Sequence, residues 1–343
     1  QRQMCIRDSL NTDVADKPLR LNLGVRYVET KTDATGWLDS TTPNVESNSY
    51  DNFLPSLNVA LDATDNLVLR AGLSRTMTRA GLSSLAPGKS YSDVNFTVSG
   101  GNSQLEPLLS DNLDLSAEWY FAEQSLVSLA YFQKDIESFI SRPSVDQPLR
   151  PEDYGPVATV YPTQPGLLDP SLIWTYSTAA NGDGTKLDGF EVSFQHAFTE
   201  LPGIWSGLGI LGNYSYVDAT TTVNRSGQDV TVPLEGLSKN SWNATVYYEL
   251  DRWGVRLAVN NRDDYVTDNT GSNGNVAHGT TGPTRYDMSA FFHINEMMTL
   301  TFEGINVTDE AERLFTTGDG TLNLVREYNF TGRQIFLGLR VNF

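Results

Sequence analysis

The sequence predicts an all-β fold, a transmembrane antiparallel β-barrel, and three observations lead to this fold class. Segments with an apolar residue at every second position recur to the end of the chain. Each is close to the roughly 9–11 residues that a tilted strand needs to cross a bilayer. The connections between these segments alternate between short and long. The closing segment, RQIFLGLRVNF, keeps the alternation up to a terminal phenylalanine.

The composition argues against a nucleic-acid partner and is compatible with a membrane barrel. The 343 residues carry 24 Lys and Arg against 42 Asp and Glu, so the net charge is −18, and phosphate binding needs a basic surface instead. Hydrophobic residues make up 39% of the chain, and we find no apolar run long enough for a transmembrane helix. Barrel strands conceal their apolar half by alternation, so an average composition does not reveal them.

The alternating segments each have one face without charge and one polar face. Typical examples are LRLNLGVRY, LDLSAEWYF, WNATVYYEL, WGVRLAVNNR, YDMSAFFHI and MTLTFEG, and about twelve such segments span the chain. A lipid-facing Arg or Lys near the bilayer midplane costs about 2–4 kcal/mol, which explains the uncharged face. The opposite face is predicted to line a watery lumen, and its charged residues are Arg20, Arg26, Arg70, Glu118, Glu191, Arg256, Glu303 and Arg340.

The connections follow a two-sided rule. Short ones are predicted at 63–66, 122–124, 250–252 and 295–296, with a somewhat longer one at 199–205. Long ones, rich in Gly, Pro, Ser, Asn and Asp, are predicted at 31–50, 78–110, 142–185, 222–236, 267–283 and 308–326. Short periplasmic turns and long extracellular loops are typical of outer-membrane barrels. Aromatic residues also cluster toward both ends of the strands, as expected for two interfacial girdles.

The two ends of the chain have different interpretations. The first residues, QRQMCIRDSL, resemble neither a signal peptide nor a strand. We interpret residues 1–16 as a sequencing or assembly scar with leader residues, and assign 17–343 to the barrel. The single cysteine, Cys5, lies in the scar and excludes an internal disulfide. Phe343 ends an alternating strand that we expect to close the barrel against the first strand, and it resembles the signal that the barrel-assembly machinery reads.

Several blocks resemble the TonB-dependent receptors of Gram-negative outer membranes. They are LRLNLGVRYVET, YDNFLPSLNVAL, NLVLRAGLSRTMTRAGLSSLAPG, GNSQLEPLLSDNLDLSAEWYF, SLAYFQKDIESFI, GLSKNSWNATVYYE, EGINVTDE and GRQIFLGLRVNF. The resemblance covers nearly the whole chain from about Leu19, although Ala80 stands where the family usually has proline. It implies a barrel of about 22 strands around an N-terminal plug domain that follows a TonB box. This chain would supply about the last twelve strands, without the plug or the TonB box, and alone it should leave a sheet edge unpaired.

The resemblance also implies a function and its partners. The receptor would capture a scarce, large nutrient with its outer loops and plug, then import it with energy relayed by the TonB complex. Its other partners would be outer-membrane lipid, lipopolysaccharide and the barrel-assembly machinery. Aromatic rings that stack on sugars, and polar groups that bind hydroxyls, are the candidate ligand contacts. In the outer loops these are Trp37, Tyr91, Phe96, Tyr154, Tyr161, Trp174, Tyr176 and Asp183.

Nothing in the sequence predicts an enzyme, a cofactor or a metal site. No nucleophile, histidine and acid occur in a catalytic pattern, and the three histidines lack metal-ligand spacing. The acidic stretch NGDGTKLDG at 181–189 lacks the distal glutamate of a full calcium loop and is predicted to be a plain turn. Each loop aromatic could also merely pack its own loop, and the lumenal arginines could pair with lumenal carboxylates.

Several interpretations therefore remain open. The matched blocks favour a carbohydrate or oligosaccharide ligand, and a ferric siderophore is the alternative because lumenal arginines could attract an anion. An autotransporter translocator of about twelve strands is the rival from another class, but it needs a pore helix before its first strand. A passive porin would not explain the receptor-like blocks. A soluble β-sandwich would not explain the two-sided rule of loop lengths.

Overall fold

The structure is a computed structural model that describes residues 2–37, 43–225, 228–269, 275–318 and 323–342. Most of these residues lie in one antiparallel sheet of fourteen strands, and strands are numbered here in chain order. Thirteen of its strands follow one another in space: β1 (Arg2–Val14), β2 (Lys17–Trp37), β3 (Pro43–Thr64), β4 (Leu67–Thr78), β7 (Leu108–Ala122), β8 (Ser125–Ile136), β13 (Thr185–Ala197), β14 (Leu208–Arg225), β16 (Asn240–Leu250), β17 (Trp253–Arg262), β20 (Arg285–His293), β21 (Met298–Ile305) and β24 (Gln334–Val341).

The remaining elements belong to the long connections. A further strand, β15 (Gln228–Pro233), pairs with β14. The other short strands are β5 (Lys89–Ser92), β6 (Thr97–Gly100), β9 (Ile140–Ser141), β10 (Ser144–Pro148), β11 (Ile173–Thr178), β12 (Ala180–Asn181), β18 (Tyr265–Asp268), β19 (Ala277–Thr280), β22 (Glu312–Thr317) and β23 (Asn323–Asn329). The helices are α1 (Leu82–Leu85) and α2 (Tyr154–Val160), with 3₁₀ turns at Pro151–Asp153, Pro165–Leu168 and Gly203–Gly207. Among the described residues, no helix has the length and apolar character to span a membrane.

The main sheet confirms the predicted fold class, an antiparallel barrel wall. From β2 to β24 its path has twelve strands, as the alternation predicted. The cross-strand register keeps the two faces distinct: Leu257 lies opposite Val246 and Met288, and the side chain of Leu257 is 56% exposed. Large exposed apolar side chains along the sheet are typical of a surface that meets lipid rather than water.

Beside this apolar face, the polar face keeps the opposite parity. Arg256 lies opposite Tyr247 and Ser289, one residue away from Leu257 on the apolar face. The sheet runs from β1 to β24, and within the described ranges these two strands are not paired with each other. The short turns β3–β4, β7–β8, β16–β17 and β20–β21 all lie at one end of the sheet, which we call the turn end. The long loops lie at the other end, the loop end.

Two sequence predictions about strand boundaries were wrong. The first ten residues were predicted not to be a strand, whereas Arg2–Val14 form β1, which pairs along its whole length with β2. The predicted loop at 31–50 is largely an extension of β2 and β3, which pair up to Trp37 and Pro43. At about 3.3 Å per residue, such strands extend well beyond a bilayer core. Both their faces are then in water, so their sequence is as polar as a loop.

Other predicted loops also contain paired strands. Part of the 222–236 connection continues β14 and returns as β15. The connections at 267–283 and 308–326 contribute the four-stranded sheet β18-β19-β22-β23. The connections at 78–110 and 142–185 together form the sheet β10-β11-β6-β5. The loop end of the barrel is therefore built, within the described residues, from small sheets.

Candidate ligand-binding surface

Two long loops fold together into one unit, which we call the loop module and define as residues 89–100 and 144–178. Strand β6 of the first loop pairs in parallel with β11 of the second, and β5 and β10 flank them. The module has its own apolar core, in which the fully buried Trp174 packs edge-on against Phe96 at 5.8 Å between ring centroids. The buried core residues are Val98, Leu149, Val157, Leu167, Trp174 and Tyr176, and Tyr91, Phe96, Tyr154, Tyr161, Leu168 and Leu172 pack against them.

A buried carboxylate ties the segments of the module together. Asp153 is 1% exposed and accepts a hydrogen bond of 2.7 Å from Lys89 Nζ and one of 2.9 Å from the Tyr91 hydroxyl. The Tyr176 hydroxyl donates a third hydrogen bond of 2.7 Å to the other carboxylate oxygen. Each donor comes from β5 or β11, so one side chain connects three segments that are distant in sequence. A buried charge requires this degree of pairing to be tolerated.

The same network alters the acidity of its two tyrosines. Burial raises the pKa of Tyr91 well above the ordinary tyrosine value, and its hydrogen bond to the Asp153 carboxylate raises the pKa further. Burial likewise raises the pKa of Tyr176, although the backbone N–H of Arg150, which donates to its hydroxyl, opposes this shift. Both hydroxyls therefore stay protonated and act as donors to the carboxylate.

The module places the predicted aromatic contacts in its interior. Trp174 and Tyr176 have almost no exposed surface, and Tyr91, Phe96, Tyr154 and Tyr161 are partly buried against the same core. The Tyr161 hydroxyl, for example, donates to the backbone carbonyl of Tyr91 at 2.8 Å. We therefore revise the predicted role of Trp174 and Tyr176: in this conformation their rings hold the module together and offer no face to a ligand. Periodicity within each loop could not reveal a core shared between two loops.

The other two predicted outer-loop contacts lie outside the module. Asp183 is exposed in the turn that leads from β12 into β13, away from the aromatic core. Trp37 ends β2, and its side chain lies outside the described part of the chain. The structure thus brings together six of the eight residues that were predicted to contact a ligand, but these six pack against one another in the core of the loop module.

The loop module is also attached to the extended β2–β3 hairpin by the segment that precedes β7. Asn48 Nδ2 donates to the backbone carbonyl of Leu105 at 3.4 Å, and Gln104 donates to the carbonyl of Ser47 at 3.3 Å. The Ser103 hydroxyl donates to the carboxylate of Glu46. These hydrogen bonds join the β2–β3 hairpin to the segment before β7, so the two form a continuous wall at the loop end.

The predicted lumenal charges all lie on the polar face, and several of them form ion pairs. Arg70 makes a bidentate pair with Glu118, at 2.8 and 3.1 Å, and lines a cavity of about 680 Å³. Arg256 pairs with Glu249 at 2.6 Å. Within the described residues, Arg26 and Arg340 form no ion pair. Arg20 also pairs with Asp62, so four of the eight predicted lumenal charges have ion-pair partners, which leaves less positive charge for a ligand than the sequence suggested.

A second recess, which we call the asparagine recess, was not predicted from the sequence. It has a volume of about 600 Å³ and lies on the polar face near the loop end of β14, β16, β17 and β20. Asn213, Asn243 and Asn260 lie side by side across three strands, and Asn243 Nδ2 donates to Asn213 Oδ1 at 2.5 Å. The volume lies within the range of about 300–1,000 Å³ that is usual for ligand pockets.

Two arginines add positive charge to the asparagine recess. The guanidinium of Arg262 lies 3.9 Å from the ring centroid of Tyr265 and donates to the Ser238 hydroxyl at 2.8 Å. The buried Nε of Arg285 has no hydrogen-bond acceptor among the described residues. Amides supply both donors and acceptors, and an arginine without an acceptor attracts an anion. Glu191 and Glu312 also line the recess and partly offset its charge.

A signal for the asparagine recess is present in the sequence. Near the loop end, the strand segments GNYSY, KNSWNA and NNR each place an asparagine on the polar face. The parity of each segment gives the face, but only the cross-strand register puts the three amides in a row. In the part of the chain that the structure describes, no group of three or more histidine, cysteine or acidic side chains could hold a metal ion.

Together, the sheet and its two faces define an antiparallel membrane-type barrel wall that carries elaborate loops at one end. The family model described as TonB dependent receptor-like, beta-barrel matches residues 7–307. The chain therefore belongs to the TonB-dependent receptor β-barrel family, whose members are outer-membrane transport receptors rather than enzymes. A comparison with curated proteins gives no match.

Solved structures with the same fold include several receptors. The siderophore receptor PiuA from Acinetobacter baumannii has a TM-score of 0.64 and 17% identity, with 99% of this chain and 43% of that chain covered. A mutant of the ferric enterobactin receptor PfeA of Pseudomonas aeruginosa, in complex with enterobactin, has a TM-score of 0.65, 14% identity and coverages of 99% and 54%. The ferric-catecholate import receptor Fiu of E. coli has a TM-score of 0.64, 15% identity and coverages of 99% and 44%. This chain spans about half of their length, and at these identities the likeness concerns the fold alone.

Proposed function

We propose that this chain is the C-terminal barrel portion of an outer-membrane receptor that binds a ferric siderophore and imports it with TonB-relayed energy. The family membership supports the receptor class, and the shared fold with siderophore receptors favours a siderophore over the oligosaccharide that the sequence resemblance favoured. In this proposal the plug domain and the TonB box lie in the remainder of the protein. Lipid and lipopolysaccharide surround the apolar face, and the barrel-assembly machinery inserts the strands.

The observation that carries the ligand class is the asparagine recess. Ferric complexes of catecholates are bulky anions with many hydrogen-bond acceptors. Arg285, whose Nε has no acceptor, and Arg262 offer positive charge at the loop end of the polar face. The three neighbouring asparagine amides offer additional donors. An oligosaccharide needs amides too, but it gains little from the guanidinium groups, because it carries no charge to pair with them.

The test compares two arginines of the polar face in the full-length receptor. Arg285→Gln changes the recess, whereas Arg340→Gln changes an arginine near the turn end of β24 and serves as the matched control. Loss of one charge-assisted hydrogen bond costs about 1.5–3 kcal/mol, so we expect roughly 10-fold or greater weakening of ferric catecholate binding for Arg285→Gln alone. Binding is measured by titration calorimetry with a ferric catecholate and with a neutral oligosaccharide. Binding of the oligosaccharide alone, insensitive to Arg285→Gln, would overturn the siderophore proposal.

A further inference from the structure

The longest connection at the turn end of the barrel exposes large apolar side chains without burying them in any core. It covers residues 198–207, between β13 and β14, and we call it the 198–207 turn. Ile204 is 63% exposed and Trp205 58% exposed, and Leu201 is also exposed. The 3₁₀ turn at its centre buries none of its residues. By contrast, the turns at 63–66 and 122–124, at the same end, have the polar sequences ATDN and AEQ.

The exposed segment is held by several hydrogen bonds. The Phe198 N–H donates to the Leu208 carbonyl at 2.9 Å, and the Leu201 N–H donates to the Phe198 carbonyl at 3.0 Å. The Ser206 hydroxyl donates to the Gly203 carbonyl at 2.8 Å, and Gly203 has a φ of 61°, which favours glycine. A Cβ at Gly207 would lie 2.4 Å from the Glu249 carbonyl oxygen, so the turn packs closely against the end of β16. The apolar side chains are thus held outward by a fixed backbone.

The apolar surface of the turn continues the lipid-facing strip of β13. Residues of even number on this strand, such as Phe190 and Phe194, are exposed on the apolar face. The same parity continues through His196 to Phe198, whose rings lie 4.4 Å apart between centroids. His196 also hydrogen-bonds through Nδ1 to the Ser125 hydroxyl at 2.7 Å, which fixes the strand end against β8. The exposed side chains of the turn therefore extend an apolar face that already meets lipid.

We propose that the 198–207 turn lies in the headgroup region of the periplasmic leaflet and anchors the barrel at a fixed depth. Tryptophan favours this region because its ring is apolar while its indole N–H can reach a polar partner. Ile204 and Leu201 would enter the edge of the acyl region beside it, as in interfacial anchors. Glu200, the charged residue of the turn, is 57% exposed as a side chain and can remain in water. The inference rests on the proposed outer-membrane location of the chain.

The test measures the depth of single spin labels on the full-length receptor in vesicles of phosphatidylethanolamine and phosphatidylglycerol. In a Cys5→Ser background, labels are attached at Ile204→Cys, at Asp65→Cys in a polar turn of the same end, and at Leu257→Cys on the apolar face. Collisions with oxygen report lipid, and collisions with a water-soluble nickel chelate report water. We expect the oxygen-to-nickel ratio at position 204 to be several-fold higher than at 65 and lower than at 257.

The three positions separate the possible outcomes. A ratio at 204 equal to that at 65 would place the turn in water and overturn the anchor. Poor access of both reagents at 204 would mean that protein covers the turn, which also overturns it. If position 257 itself reports water, the membrane barrel fails and the proposed function fails with it. A lipid signal at 257 with a water signal at 204 rejects the anchor alone.

Discussion

The Tyr176 hydroxyl donates a hydrogen bond of 2.7 Å to the buried carboxylate of Asp153, inside a module formed by two outer loops. The hydrogen bond connects β11 to the segment that precedes α2. Tyr176 therefore has a structural role in the module and is not an exposed ring that could stack on a ligand. The loop end of this chain therefore contains a module with its own apolar core. Substitutions there act first on the stability of the loop module and only then on ligand binding.

The Asp153 network predicts a local loss of stability. In Asp153→Asn, the side chain keeps one carbonyl acceptor but leaves Lys89 or a tyrosine hydroxyl without a partner, at a cost of about 1–3 kcal/mol. If the module loses about 1–2 kcal/mol of stability, its cleavage by protease on intact cells should be about 5–30-fold faster. Asp169→Asn is the control, because the Asp169 side chain is exposed and, among the described residues, accepts hydrogen bonds only from Ser171. Equal cleavage of both variants would show that the network does not stabilise the module.

The raised pKa values of Tyr91 and Tyr176 predict a dependence on alkaline pH. An unfolded tyrosine titrates near pH 10, whereas burial and the Asp153 carboxylate raise the pKa of both hydroxyls in the folded module. Their contribution to stability is therefore complete below about pH 10 and is lost as the pH rises above it. Near-ultraviolet absorbance should show a late phase of tyrosine ionisation that Tyr91→Phe and Tyr176→Phe each diminish. A single phase near pH 10 for all tyrosines would contradict this assignment.

The assignment of the two sheet faces predicts opposite responses at neighbouring positions. Leu257→Arg places a charge on the apolar face at a cost of about 2–4 kcal/mol and should abolish assembly of the full-length barrel. Arg256→Leu should be tolerated, because Arg256 lies on the watery face and its partner Glu249 can remain solvated there. Heat-modifiable electrophoretic migration of the membrane fraction measures assembly. Similar losses in both variants would mean that the register is wrong.

The last residue gives a prediction about biogenesis. Phe343 lies outside the described residues, so its proposed role as the assembly signal rests on the sequence. Deletion of Phe343 should lower the amount of full-length receptor in the outer membrane, whereas Phe343→Tyr, which retains a terminal aromatic ring, should restore it. Immunoblots of purified outer membranes measure this amount. Unchanged levels after the deletion would argue against an assembly signal.

The sequence predicted the membrane-spanning strands because lipid enforces a pattern of period two. Strands such as β16 and β17 therefore follow directly from their alternating side chains. Beyond the bilayer this constraint disappears, so the extension of β2 to Trp37 resembles a loop in sequence although it continues as a strand. Strand β1 is different, because it pairs with the Leu19–Tyr27 part of β2 and its alternation is interrupted by Asp8, which lies opposite Leu23.

The candidate site was less predictable because its contacts join distant segments. The parallel pairing of Thr97 with Thr175 creates the loop module, and no local pattern in either loop indicates it. The same pairing buries Trp174, which the sequence alone suggested as a ligand contact. The asparagine recess likewise depends on register across β14, β16 and β17. The alternation in the sequence shows which face of the sheet a residue lies on. It does not show which residues of the neighbouring strands lie beside it, and the site depends on those neighbours.

The most direct test of the central claim is TonB-dependent uptake of a radioactive ferric catecholate by cells that produce the full-length receptor under iron limitation. Cells with and without a functional TonB complex are compared, and both must show the same amount of receptor in the outer membrane. The account predicts accumulation of iron only when TonB is functional, with surface binding retained in its absence. Equal accumulation in both strains, or no binding in either strain, would contradict a TonB-powered siderophore receptor.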